Sequence, residues 1–180
     1  MSARRRAQYS NKDDRFMKEN KIETGNDEWQ TPDELYEKLH EEFNFEVDLC
    51  AKQNNTKCQN WSEDIALFVE SEQSDKYNQF WINPPYSRGN IDEAMSYVCK
   101  LHEEGKIITG LVRLDPTAKW FKKFVDGVAS EVRLLDKRIR FKGASASYNF
   151  PCCVVVYSGG IKKPDGSIKN STNYHLWGWK

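Results

Sequence analysis

The segment Asn83-Pro84-Pro85 limits what this chain can fold into, because it ends an apolar run abruptly. The run Gln79–Ile82 has the character of a short buried strand. Proline cannot donate to a ladder of backbone hydrogen bonds, so two successive prolines cannot continue a strand. The chain must therefore leave its sheet at Asn83, which stands at the carboxyl end of that strand.

Helices and further strands alternate on both sides of this point. Thr31 and Pro32 resemble a capping residue and a first helical residue, and Ser62 is a second candidate cap. Helical spacing follows at Leu35, Tyr36, Leu39 and Phe43, at Ile65, Leu67 and Phe68, at Ile91, Ala94, Met95, Val98 and Leu101, and at Trp120, Phe121, Phe124, Val125 and Val128. Strands are predicted over 45–50, 79–82, 106–112, 131–135, 138–142 and 150–157.

The order of these elements predicts an α/β fold whose sheet is mainly parallel, with an antiparallel edge hairpin. The hairpin is expected from the last two strands, which are too close in sequence for a crossover helix. In such sheets, ligands bind beyond the carboxyl ends of the strands. Asp48, Asn83 and Arg113 each lie at or just past such an end, so we expect a site shared by three loops.

Charge and composition exclude several classes of protein. The chain carries 27 Lys and Arg against 27 Asp and Glu, so any contact with nucleic acid must come from local patches. No apolar stretch is long enough to span a membrane, and the N-terminus lacks the apolar core of a signal peptide, so we expect a cytoplasmic protein. The five cysteines show no zinc-type spacing, and we expect no metal site.

The Asn83-Pro84-Pro85-Tyr86 loop suits methylation of an exocyclic amine, which is a poor nucleophile because its lone pair is delocalised into the ring. The Asn83 amide oxygen can accept one amino hydrogen, and the Pro84 carbonyl, held by Pro85, can accept the other. Tyr86 can stack on the base, which contributes about 1–3 kcal/mol. An adenine in a duplex must be flipped out before such chemistry can reach it.

The chain resembles the phage-type DNA N6-adenine methyltransferases, a Dam-like family, over about residues 27–157. The Asn-Pro-Pro-Tyr element is shared with other amino-methylating enzymes, whereas the Trp-x-Thr-Pro and Asp-x-x-Ala segments point to this family. The matching residues are Trp29-Gln30-Thr31-Pro32, Val47-Asp48-Leu49-Cys50-Ala51, Asn55-Thr56-Lys57-Cys58, Asp64, Trp81-Ile82-Asn83-Pro84-Pro85-Tyr86-Ser87-Arg88, Leu111-Val112-Arg113, Thr117 and Trp120-Phe121.

The resemblance implies a Rossmann-like fold that uses S-adenosylmethionine, with residues 27–160 as the methyltransferase domain. A flexible polar arm (1–26) and a C-terminal tail (161–180) are expected on either side of it. The implied cofactor-binding residues are Trp29, Thr31, Pro32, Asp48, Cys50, Asp64 and Asn83, and the implied catalytic residues are Asn83, Pro84, Pro85 and Tyr86. The chain departs from the general methyltransferase pattern, because no glycine occurs between Gly25 and Gly89. Glu63 and Asp64 are candidates for the ribose-binding acid, and Asp75 is a weaker one.

The function implied is site-specific methylation of N6 of a flipped adenine in double-stranded DNA, in the cytoplasm of a bacterial or phage-infected host cell. Arg88, Arg113 and Lys119 are candidate DNA contacts, with salt bridging or a solvated face as the alternative for each. Two other functions stay open: methylation of RNA adenine or protein glutamine, and a non-catalytic nucleic-acid-binding module. The sequence sets no oligomeric state.

Overall fold

The computed structural model of the chain describes residues 29–87 and 89–180. The predicted arm (1–26) and Arg88 lie outside the described residues. The helices are α1 (Asp33–Phe43), α2 (Ile65–Val69), α3 (Asn90–Glu103) and α4 (Lys119–Phe124), with a 3-10 turn at Ser74–Lys76. The strands are β1 (Val47–Leu49), β2 (Asn60–Ser62), β3 (Gln79–Ile82), β4 (Ile107–Arg113), β5 (Glu131–Leu135), β6 (Cys152–Tyr157), β7 (Ile161–Lys162), β8 (Ile168–Lys169) and β9 (Asn173–Trp177).

Seven strands form one sheet in the order β2-β1-β3-β4-β6-β5-β9. Strand β6 runs antiparallel to both β4 and β5, and the other neighbouring pairs are parallel. The predicted α/β fold with a mainly parallel sheet is therefore confirmed. The antiparallel strand lies between two others, however, and not in a hairpin at the edge of the sheet.

The strand predicted over 138–142 is wrong. This segment makes only an isolated bridge, between Lys142 and Gln30. Ile139 and Phe141 are nevertheless buried, because they pack over a face of the sheet beside Leu35 and Leu39 of α1. In residues 138–142, polar and apolar side chains therefore alternate because the segment packs onto a face of the sheet, and not because it is a strand of the sheet.

The sheet separates two hydrophobic clusters. On one face, α2, α3 and α4 bury the larger cluster, which includes Met95, Val98 and Phe121. On the other face, α1 packs together with the segment 139–148, and this cluster includes Leu35 and Phe141. The four predicted helices are present, and each buries apolar residues against one of these faces. Two details of the predicted stripes are wrong: Leu67 is 70% exposed, and α4 ends at Phe124, before Val125 and Val128.

Two predicted helix caps are corrected by the structure. Pro32 occupies the N-cap position of α1, and Thr31 is buried just outside the helix with 2% of its surface exposed. Ser62 belongs to β2, and the cap of α2 is Asp64, whose Oδ1 accepts from the Leu67 N–H at 3.0 Å. In both places, the residue that was predicted to cap the helix lies outside the cap position and belongs to another part of the structure.

The C-terminal segment, predicted as a tail, contributes to the sheet. Strands β7 and β8 form a separate two-stranded sheet, and β9 then pairs parallel to β5. The Arg133 guanidinium lies over the Trp177 ring at 5.3 Å and forms an ion pair with Glu42. Trp179 is 2% exposed, so the end of the chain packs back onto the fold. The domain boundaries themselves stay a prediction.

Candidate active site

The carboxyl ends of β1 and β3 bring Asp48 and Asn83 to one narrow cavity of about 20 Å³. Trp29, Thr31 and Lys57 also line this cavity. The parallel register of β1 and β3 accounts for this meeting, since Asp48 pairs with Trp81 two residues before Asn83. Arg113, at the end of β4, does not line it.

The amide of Asn83 is held at both ends. Its Nδ2 donates to the backbone carbonyl oxygen of Trp29 at 3.0 Å, across 54 positions of sequence. The Tyr86 hydroxyl lies 3.1 Å from Asn83 Oδ1 and 3.1 Å from the Leu111 carbonyl oxygen, and it can donate to either. These contacts fix the orientation of the amide and place Oδ1 on the side of Tyr86.

The ring of Tyr86 lies beside other aromatic rings on the same side of the sheet. Its centroid is 5.9 Å from that of Tyr148 and 6.3 Å from that of Phe141. Burial raises the pKa of the Tyr86 hydroxyl well above its usual value, so this group stays protonated and acts as a donor. Pro84 is buried and Pro85 is partly exposed, so the loop is held firmly against the fold.

Asp48 is a buried acid, and its surroundings favour the protonated, neutral form of the carboxyl. It is 4% exposed, and its Oδ2 accepts from the Lys57 backbone N–H at 2.7 Å. Burial raises the pKa of Asp48 to about 7, and the Lys57 N–H offsets part of that rise. A cation placed in the narrow cavity would favour the ionised form of this carboxyl.

Cys50 replaces the glycine that a turn after the first strand usually requires. Its φ is +62°, a left-handed conformation that non-glycine residues rarely adopt. The next residue, Ala51, is held by its N–H donating to the Ser62 carbonyl at 2.9 Å. The backbone at Cys50 therefore has the conformation that a glycine would usually supply in this turn, although the sequence has no glycine there.

A larger cavity of about 490 Å³ adjoins the narrow one, because Cys50 and Asn55 line both. Its wall combines three acids with the apolar Ile65 and Pro85. Of the candidate acids, Glu63 and Asp64 line this cavity, whereas Asp75 does not. Two further lining residues, Asn55 and Glu93, were not singled out from the sequence, although Asn55 lies in one of the segments that carry the family resemblance.

The structure places most of the predicted cofactor-binding residues along these two cavities. Trp29, Thr31, Asp48, Cys50 and Asn83 line the narrow cavity, and Cys50 and Asp64 line the larger one. Pro32 lines neither cavity and serves as the N-cap of α1. Six of the seven residues therefore line one or other of two adjoining cavities.

Comparison with known proteins decides the family. The family model described as DNA N-6-adenine-methyltransferase (Dam) matches residues 18–176. The chain belongs to this family. It is also similar to the DNA N-6-adenine-methyltransferase of Haemophilus phage HP1 (strain HP1c1), with 27% identity over 163 residues that cover 87% of this chain and 91% of the relative. The family resemblance seen in the sequence is thus confirmed.

The basic residues of this Dam-family chain divide between two surfaces. Lys119, Lys122 and Lys123 are exposed on α4, whereas Lys137, Arg138, Arg140 and Lys142 are exposed on the segment that covers the opposite face of the sheet. Arg113 forms an ion pair with Asp115 at 2.8 Å and lies over the Phe150 ring at 5.1 Å. The DNA-contacting roles of Arg113 and Lys119 stay predictions, and Arg88 is outside the described residues.

Within residues 29–87 and 89–180, none of the helices has the length and apolar character that crossing a bilayer requires. Across the same described part of the chain, no three His, Cys, Asp or Glu side chains gather into a group that could hold a metal ion.

Proposed function

We propose that the chain transfers a methyl group from S-adenosylmethionine to N6 of an adenine flipped out of double-stranded DNA, at a specific sequence. The observation that carries this proposal is the meeting of Asp48 and Asn83 in one narrow cavity, which shares two lining residues with a larger one. A carboxyl group that can ionise and an oriented amide thus line the same narrow cavity.

The residues present fit S-adenosylmethionine. The buried Asp48 carboxyl suits a cationic ammonium group at the narrow end, where Thr31 adds a hydroxyl. In the larger cavity, Glu63, Asp64 and Glu93 suit ribose hydroxyls, and the apolar Ile65 and Pro85 suit a purine ring. When bound, the cofactor supplies a methyl group activated on a sulfonium sulfur.

The loop supplies acceptors for the adenine amine. Asn83 Oδ1 has two lone pairs, so it can accept an amino hydrogen even while the Tyr86 hydroxyl is near it. The Pro84 carbonyl is the second acceptor, and together they draw the nitrogen towards tetrahedral geometry. The amine proton leaves to water after the methyl transfer, so no strong base is needed before it.

An aromatic wall is available for the extruded base. A third cavity, of about 340 Å³, lies between Trp29 and the segment 143–150, and Tyr148 and Phe150 line it. Tyr148 is the neighbour of Tyr86, so the aromatic surface runs from this cavity to the catalytic loop. Base stacking on aromatic rings contributes about 1–3 kcal/mol per base, which offsets part of the unstacking cost of extrusion.

The test uses purified protein with methyl-labelled S-adenosylmethionine and unmodified double-stranded DNA. After nucleoside digestion, mass spectrometry should find N6-methyladenine, and mapping should place it in one sequence context. Parallel reactions contain RNA, a glutamine-containing protein, or the Asn83→Ala variant. Label only on RNA adenine or on glutamine would reject the DNA assignment, and wild-type turnover by Asn83→Ala would reject the catalytic loop.

A further inference from the structure

The contact between Asn83 and Trp29 joins the catalytic loop to a residue 54 positions earlier in the chain. The Asn83 Nδ2 donates to the Trp29 carbonyl oxygen at 3.0 Å. A backbone carbonyl can only accept a hydrogen bond, so it distinguishes the NH₂ end of the amide from the oxygen end. The oxygen end, Oδ1, is thereby turned towards the Tyr86 hydroxyl at 3.1 Å.

The Trp29 carbonyl is itself held in place by contacts of two kinds, those of the Trp29 ring and one of the neighbouring backbone. The indole ring of Trp29 stacks on Phe141 at 5.3 Å and meets Tyr148 edge to face at 5.4 Å. The next carbonyl, that of Gln30, accepts from the Lys142 backbone N–H at 2.9 Å. The short stretch Trp29–Gln30 is therefore docked onto the segment 139–148 both by its side chain and by its backbone.

We propose that Trp29 is a positioning residue that orients the Asn83 amide, so that position 83 requires a side chain able to donate to the Trp29 carbonyl. This inference rests on the proposed function and deepens it. A carboxylate at position 83 would place an anionic oxygen about 3 Å from the carbonyl oxygen, where two acceptors repel each other. Only a protonated carboxyl could restore the donor that Asn83 supplies.

Other charged and titratable groups face the same amide and must be considered. Asp48 and Lys57 line the narrow cavity with Asn83, and Tyr86 contacts the amide directly. Arg113 acts electrostatically on Tyr86 from the end of β4. These groups are present in the wild type and in variants at position 83, so the informative quantity is the ratio of variant to wild-type activity at each pH.

The first test is Asn83→Asp, a nearly isosteric change, assayed with saturating cofactor and DNA between about pH 5.5 and 8. We expect kcat to fall about tenfold to a hundredfold at the alkaline end, because a hydrogen bond is replaced by a repulsion. The ratio to wild type should rise as the pH is lowered, because partial burial beside the Trp29 carbonyl oxygen and Asp48 should raise the pKa of the new carboxyl from its ordinary value of about 3.9 towards this range. A ratio near one at every pH, or a low ratio that does not change with pH, would overturn the inference.

The second test asks whether Trp29 is the cause of the penalty. Trp29→Ala removes the ring that docks the carbonyl, whereas Trp29→Phe keeps an aromatic ring against Phe141. In a double-mutant cycle, the kcat penalty of Asn83→Asp should shrink in the Trp29→Ala background and persist in the Trp29→Phe background. Equal penalties in all three backgrounds would show that Trp29 does not orient the amide.

Different results would overturn the proposed function and the positioning role of Trp29. If the wild-type protein transfers no methyl group to DNA, the proposed function is overturned, and the positioning role of Trp29 in that reaction falls with it. Active wild-type protein together with a fully active Asn83→Asp variant would overturn only the positioning role of Trp29. Thermal melting of each variant separates a loss of folding from a loss of turnover.

Discussion

The Asp48 carboxylate accepts a hydrogen bond from the Lys57 backbone N–H at 2.7 Å, at a position where Asp48 is only 4% exposed. One N–H does not compensate for the burial of a charge, and the pKa of Asp48 is accordingly raised to about 7. Near neutral pH the free protein therefore contains both the neutral and the ionised carboxyl. Two measurable consequences follow, one for cofactor binding and one for stability.

If S-adenosylmethionine binds as proposed, its affinity should increase as the pH rises from about 6 to 8, because ionised Asp48 would attract the ammonium group. Asp48→Asn, which keeps the shape but not the charge, should bind more weakly and lose most of this pH dependence. Isothermal titration calorimetry of both proteins across the range measures the effect. Parallel pH profiles for Asp48→Asn and wild type would assign the titration to another group.

The stability of the free protein should respond to Asp48 in the opposite sense. The native pKa of about 7 lies above the unfolded value, so between these pH values the native state binds the proton more tightly. The stability contributed by the neutral carboxyl is present below about pH 4 and is lost as the pH rises towards 7. Asp48→Asn should therefore gain about 2–4 kcal/mol relative to wild type between acid and alkaline pH, measured by urea unfolding.

Local patterns in the sequence predict the elements that position the site. The spacing of Leu35, Tyr36 and Leu39 gives α1, and the prolines after Ile82 end β3 where the structure ends it. These features depend on neighbours within a few residues, so a short window contains the necessary information. For the same reason the Asn83-Pro84-Pro85-Tyr86 loop and its position at the carboxyl end of a strand could be read from the sequence.

Features that depend on distant contacts could not be read in this way. Thr31 has the local pattern of a helix cap, but it is buried at the cavity instead. Cys50 adopts a left-handed φ that its residue type does not indicate, since the surrounding fold imposes it. The contact of Asn83 with the Trp29 carbonyl joins two segments 54 positions apart. Every residue has a backbone carbonyl, so the residue type at position 29 does not reveal this acceptor.

The left-handed conformation of Cys50 predicts an unequal response to two substitutions. Cys50→Gly and Cys50→Ala both remove the thiol, but only glycine adopts a φ of +62° without a steric penalty. The glycine variant should be more stable than the alanine variant by about 1 kcal/mol, the order of the left-handed penalty for a residue with a Cβ. Chemical unfolding measures this difference, and an alanine variant of equal or greater stability would contradict the strain.

Asp64 has a structural role that can be separated from its proposed role in cofactor binding. Its Oδ1 caps α2 by accepting from the Leu67 N–H at 3.0 Å, and the residue also lines the larger cavity. Asp64→Ala should lose about 1 kcal/mol of stability, whereas Asp64→Asn should keep the cap. If the carboxylate binds ribose hydroxyls, both variants should bind S-adenosylmethionine more weakly in calorimetry. Wild-type affinity in Asp64→Asn would leave Asp64 with the capping role alone.

Tyr86 combines a ring that can stack on the base with a hydroxyl directed into the fold. Tyr86→Phe keeps the ring beside Tyr148 but loses the contacts with Asn83 Oδ1 and the Leu111 carbonyl. Its stability should fall by about 1 kcal/mol, the net contribution of one hydrogen bond. Most of kcat should be retained, because Oδ1 must in any case accept from the adenine amine.

Tyr86→Ala should lose much more activity, with KM for DNA raised, because the stacking surface is gone. Steady-state kinetics with melting curves measure both effects, and equal losses in the two variants would show that the hydroxyl carries the function.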